Sequence, residues 1–132
     1  MKQTIAQLAL VVEDYDAAID FYCKKLQFTL VEDTVMSAEK RWVVVAPPGG
    51  EGCKILLAKA ANDHQKSRIG DQTGGRVFLF LYTDDFDRDY QNLLENGVKI
   101  VREASVEAFG KVCVFADLYG NLWDFIEPAT TL

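Results

Sequence analysis

The chain repeats itself. Asp14-Tyr15-Asp16 returns as Asp85-Phe86-Asp87 at an offset of 71 residues. Phe28–Val31 then returns as Val98–Val101, Trp42–Val45 as Val112–Phe115 and Gly50 as Gly120, each at an offset of 70. One residue fewer in the second copy's helix accounts for the change, after which the register holds. Similarity spread over both halves means a duplicated supersecondary unit, because a chance likeness between generic strand–helix pieces explains one match and not all of them.

Each copy reads as β-α-β-β-β. In the first, Thr4–Val12 is a short aliphatic and β-branched run, the pattern of a strand covered on both faces. Asp14 is placed to cap a helix whose apolar stripe is Tyr15, Ala18, Ile19, Tyr22 and Leu26. Asp16 and Asp20 stand near its start, where unpaired N–H groups favour negative charge. Strands are expected at Phe28–Glu32, Arg41–Val45 and Lys54–Ala58, with Pro47-Pro48-Gly49-Gly50 as the break between the last two. In the second copy Val77–Thr83 is a strand and Asp85 an N-cap. Phe86, Tyr90, Leu93 and Leu94 form the helical stripe, and Gly97 suits the helix stop. Strands at Val98–Val101, Val112–Ala116 and Leu122–Glu127 follow, with Tyr119-Gly120-Asn121 as a turn. The spacing predicts module one over about 4–59, a polar linker with a short helix over 60–75, and module two over 76–128, all within one domain covering 1–132.

Composition narrows the function. A formal net charge of −6 argues against a nucleic-acid partner, since such binders draw much of their affinity from neutralising phosphates. No apolar run approaches the roughly 20 residues needed to cross a bilayer, and the start of the chain lacks signal-peptide architecture. Three cysteines, Cys23, Cys53 and Cys113, are odd in number and widely spaced, which fits free thiols in a cytoplasmic protein.

Leu8-Ala9-Leu10-Val11-Val12-Glu13-Asp14 followed by Ala17-Ala18-Ile19-Asp20-Phe21-Tyr22 resembles the opening of glyoxalase, bleomycin-resistance and extradiol-dioxygenase domains, the vicinal oxygen chelate superfamily. Asp117-Leu118-Tyr119-Gly120-Asn121-Leu122-Trp123-Asp124 resembles the D-P-D-G-N-x-x-E closing motif of the same group. The resemblance runs from about Ile5 to Pro128. It implies an α+β fold in which paired βαβββ modules form a cup-shaped mixed sheet with helices on the outside, a small-molecule cavity, and commonly a homodimer. In metal-dependent members each module supplies one ligand from its first strand and one from its last, usually His or Glu. The ion then polarises neighbouring substrate oxygens as a Lewis acid or binds dioxygen.

Carried over residue by residue, those positions are poor in donors. The first-strand positions, seven residues before each helix cap, are Gln7 and Phe78. The last-strand position of module two is Asp124, replacing Glu. Its counterpart in module one is Lys54 at the 70-residue offset, or Leu56 if the loop differs by two. A catalytic ion usually takes three protein ligands and an open position, and an amide binds transition metals weakly. The expectation is therefore a small-molecule binder with no cofactor and no metal, its ligand-binding residues being Gln7, Phe78, Phe80 and Asp124. By strand alternation Phe78 shares a face with Arg76, Phe80 and Tyr82, so module two presents aromatic walls to a flat or hydrophobic ligand; filling the cup as core is the competing role for these rings. The alternative is a lyase, isomerase or dioxygenase with a displaced divalent-metal site using Asp124, Gln7 and His64.

Other candidates read as structural. His64 lies among Asn62, Asp63, Gln65 and Lys66, a solvated setting. Cys113 lies within an apolar strand and Cys23 on a helix, both places where cysteine serves as a small hydrophobe. Gly49-Gly50-Glu51-Gly52 precedes a strand and lacks the Lys and Ser/Thr of a phosphate loop. Arg41, Lys54 and Arg76 are candidates for neutralising an anionic ligand or for keeping strand edges soluble.

Overall fold

A computed structural model describes residues 1–129. Contacts divide the chain into two units, Met1–Ile69 and the chain from Gly70 onward. The first holds β1 (Gln7–Val12), α1 (Tyr15–Ile19) continued by a π-helical turn (Asp20–Lys25), β2 (Thr29–Val35), β3 (Arg41–Ala46), β4 (Lys54–Lys59) and α2 (Asp63–Lys66). The second holds β5 (Val77–Tyr82), α3 (Phe86–Glu95), β6 (Lys99–Glu107), β7 (Gly110–Ala116) and β8 (Leu122–Pro128). The two sheets have the same strand order, β1-β4-β3-β2 and β5-β8-β7-β6. In each, the first strand pairs in parallel with the last, and the remaining pairs are antiparallel. The fold is α+β, and the βαβββ order expected from the repeat is present twice.

In the first unit the helical stripe meets one face of the sheet. Tyr15, Ala18, Phe21, Tyr22 and Leu26 are buried, as are Leu10, Val12, Val43, Val45, Ile55 and Leu57, whose burial removes apolar surface from water. Asp14 caps α1 by accepting from the Ala17 N–H at 2.7 Å. The helix then widens: the Leu26 N–H reaches back five residues to the Phe21 carbonyl at 3.2 Å. A π-turn is the structural form of a one-residue insertion in a helix. Here it accommodates the residue that separates the offsets of 71 and 70, since α3 is a plain α-helix. Arg41 ties β2, β3 and α1 together. Its guanidinium donates to both Asp33 oxygens (3.1 and 2.7 Å) and to Asp16 (2.9 Å), and it lies 5.2 Å from the Tyr15 ring centroid.

The second unit follows the same plan. Asp85 accepts from the Arg88 N–H at 3.1 Å to cap α3, and the Glu127 carboxylate accepts from the Phe86 N–H at 2.8 Å. Phe86 packs on Phe125 with centroids 5.6 Å apart, and Phe115 stacks on Trp123 at 5.7 Å. These contacts set Trp123, Phe125 and Phe115 on the face that α3 covers. After β7 the buried Asp117 carboxylate accepts from the N–H groups of Tyr119, Gly120 and Asn121, at 2.9–3.0 Å, and from Asn121 Nδ2 at 3.0 Å. Asn121 in turn accepts from the Gln72 N–H at 3.1 Å, so the closing motif also anchors the chain ahead of β5.

The element bounds differ from expectation at exposed segments. β1 starts at Gln7 rather than Thr4, and β2 and β6 extend beyond Glu32 and Val101 to Val35 and Glu107. β2 and β6 end their sheets and are mostly exposed, so no buried face imposes a legible alternation on their sequence. The expected short helix of the linker is α2, capped by Asn62 accepting from the Gln65 N–H at 2.9 Å.

Candidate functional site: the sheet face opposite α3

With Trp123 and Phe125 turned toward α3, strand alternation sends Phe80, Tyr82, Asp124 and Ile126 to the opposite face. Pairing across β5, β8, β7 and β6 lines up Phe80, Asp124, Val114 and Arg102 in one rung. The next rung is Tyr82, Ile126, Val112 and Ser105. Phe80 and Tyr82 are 64% and 53% exposed, which is high for large rings in the interior of a strand. Val114, Ile126 and Val112 are buried, giving an apolar floor. Asp124 is half-buried, and no hydrogen bond or ion pair engages its carboxylate among the described residues. Its charge is felt nearby: burial pushes the Cys113 thiol up to about 12, with Asp124 adding to the rise.

The structure brings Phe80 and Asp124 together as direct partners on parallel strands. Phe78 stands apart from that pairing. The register shifts between Val77 and Leu79, and the Phe78 ring sits edge-on to buried Trp123, 6.2 Å between centroids. A bulge breaks strict alternation, so Phe78 does not simply share the face of Phe80. Gln7 belongs to the first unit, half-buried at the start of β1 and in register with exposed Lys54 of β4. Tyr82 and Arg102 join the rungs without having been singled out as ligand-binding residues. The parity of β5 pointed to the first, and the 70-residue offset from Glu32 pointed to the second.

Pairing also decides which residue of the first unit corresponds to Asp124. Val44 pairs with Leu56 and Ala9 with Leu56, just as Val114 pairs with Asp124 and Phe80 with Asp124. The counterpart is Leu56, because the β3–β4 connection is two residues longer than the β7–β8 turn. The equivalent rung of the first unit is then Ala9, Leu56, Val44 and Glu32. Across the four repeat-related positions the chain therefore carries an amide, an alkyl chain, a phenyl ring and a carboxylate. Alkyl and phenyl groups offer a cation no lone pair, so this donor set does not fit the usual metal. Among the described residues, no three His, Cys, Asp or Glu side chains are grouped to hold a metal ion.

The remaining candidates are placed as follows. Arg41 is engaged by Asp33 and Asp16. His64 is exposed on α2. Cys23, Cys53 and Cys113 are free thiols, with Cys113 fully buried. Among the described residues no helix is long and apolar enough to cross a membrane.

The model of the Glyoxalase/Bleomycin resistance protein/Dioxygenase superfamily matches residues 4–125, and the chain belongs to that family. An uncharacterised protein of Shewanella frigidimarina (strain NCIMB 400) is 56% identical over 128 residues, covering 96% of this chain and 95% of its own length. The crystal structure of UcmS2 is similar with a TM-score of 0.84 and 26% identity, covering 96% of this chain and 99% of that one. That of TnmS3, an antibiotic binding protein from Streptomyces sp. CB03234, is similar with a TM-score of 0.70 and 26% identity over 98% of both chains.

Proposed function

We propose that the protein binds a small organic molecule without a metal ion, and that the face carrying Phe80, Tyr82 and Asp124 contributes the contacts that hold it. One observation carries the reading: two exposed rings and a carboxylate that no described donor engages share adjacent rungs over an apolar floor. Exposed rings gain from covering by a flat ligand, and a lone carboxylate supplies orientation. Membership of the family and likeness to an antibiotic binding protein support a ligand of that general kind. We place the protein in the cytoplasm as a homodimer, with free thiols consistent with a reducing compartment.

Calorimetric titration of chelator-treated protein with a panel of aromatic and glycopeptide antibiotics tests the reading. Saturable binding that added divalent ions leave unchanged supports it. Binding only after adding zinc, manganese or magnesium overturns it.

A second reading has one observation in its favour. Asp124 is a carboxylate at the position where the family's enzymes place a metal ligand, and no described donor engages it. A lyase, isomerase or dioxygenase with a displaced divalent-metal site at Asp124 would reveal itself by elemental analysis. A stoichiometric divalent ion in protein purified without a metal-affinity tag would decide for it.

A further inference from the structure

The rung that carries Asp124 says which ligands this face prefers. We infer that it selects molecules pairing a flat aromatic or apolar body with a positively charged nitrogen, an inference that rests on the small-molecule reading above. The Asp124 carboxylate is half-buried and engaged by no described donor. A partly desolvated anion lacking a partner is costly, and a cationic ligand offsets that cost where a neutral one deepens it. Its neighbours point the same way. Phe80 pairs directly with Asp124 and is 64% exposed, so an ammonium contacting the carboxylate also reaches a ring face. On its other side is buried Val114, and the next rung offers Tyr82 above Ile126.

A metal ion is the poorer occupant of the same spot. Hard cations gather six or more oxygens and borderline ones want imidazole or thiolate. The flanking phenyl and isopropyl groups supply none of these. The one cation on the rung, Arg102, stands beyond Val114 on β6 and makes no ion pair with Asp124 among the described residues. The carboxylate is thus left for a ligand.

The test uses three phenylalkyl probes of similar size on the full, isotope-labelled chain: 2-phenylethylammonium, 2-phenylethanol and 3-phenylpropionate. Amide chemical shifts report both the site and the affinity. The ammonium should bind about tenfold more tightly than the alcohol, with the propionate weakest. Asp124→Asn should close the gap between ammonium and alcohol to within about twofold, whereas Phe80→Ala should weaken both. An unchanged spectrum elsewhere shows that each variant is folded. Equal affinities for ammonium and alcohol, or a preference that survives Asp124→Asn, overturn the charge selection while leaving small-molecule binding in place. Displacement of the ammonium by equimolar zinc overturns it in favour of a metal site. If none of the three probes moves amides of β5 and β8 in the native chain, the small-molecule reading falls as well.

Discussion

Phe80 and Asp124 face each other across the parallel β5–β8 pair, an exposed phenyl ring beside a carboxylate that no described donor engages. One residue further along β8, Phe125 is buried against Phe86 and belongs to the core. The two faces of one strand pair therefore do different jobs, and mutations on them should separate. Phe80→Ala is expected to change stability by no more than about 0.5 kcal/mol while sharply weakening ligand binding. Phe125→Ala should cost about 3–5 kcal/mol through the cavity it leaves. Urea midpoints beside binding isotherms check this; a strongly destabilised Phe80→Ala would instead mark Phe80 as core.

The Arg41 cluster predicts an acid response. The Arg41 guanidinium, donating to both oxygens of Asp33, holds that carboxyl below its usual range. A depressed folded-state pKa contributes stability that is fully present above the unfolded pKa, about 3.9, and is lost as pH falls through the folded one. Wild type should therefore be more stable than Asp33→Asn at pH 7, with the gap narrowing toward pH 3. A gap that stays constant across that range would contradict the assignment.

Cys113 should be the last thiol to react. It is fully buried, and burial with the nearby Asp124 charge pushes its pKa up to about 12, leaving little thiolate at pH 8. Cys23 and Cys53 are partly exposed. Intact-mass analysis after timed alkylation should show modification at those two first, with Cys113 modified only under denaturing conditions. Equal rates at Cys53 and Cys113 would show that β7 opens readily.

Two glycines at hairpin connections should differ in what they tolerate. At Gly110, φ is +147° and an added Cβ would lie 2.2 Å from the Glu127 carbonyl oxygen, a backbone atom that cannot step aside. At Gly49, φ is +66° and nothing lies within 4 Å. Gly110→Ala should cost about 3 kcal/mol, from clash and backbone strain together. Gly49→Ala should cost about 1 kcal/mol, the left-handed backbone alone. Thermal melts should place the first roughly 10 °C below wild type and the second roughly 3 °C below.

The repeat made most of the fold legible. Asp14 and Asp85 mark both helix starts because a capping carboxylate and the stripe after it are local signals. The shift of offset from 71 to 70 carried the π-turn at Asp20–Lys25 in coded form. What eluded the sequence was register. The sequence left Lys54 and Leu56 both open as the counterpart of Asp124; the two extra residues between β3 and β4, read through the pairing of Val44 and Val114, make it Leu56. The bulge at Phe78 was equally hidden, since a run of Val77-Phe78-Leu79-Phe80 is apolar at every position and gives alternation nothing to register against.

The account rests on small-molecule capture at the rung of Phe80 and Asp124, and the structure of the protein with an aromatic antibiotic bound tests that most directly. The account predicts ligand density against Phe80 and Tyr82, a polar or charged ligand group within hydrogen-bond distance of Asp124, and no metal ion between them. A ligand seated elsewhere, or a divalent ion coordinated by Asp124, would contradict it.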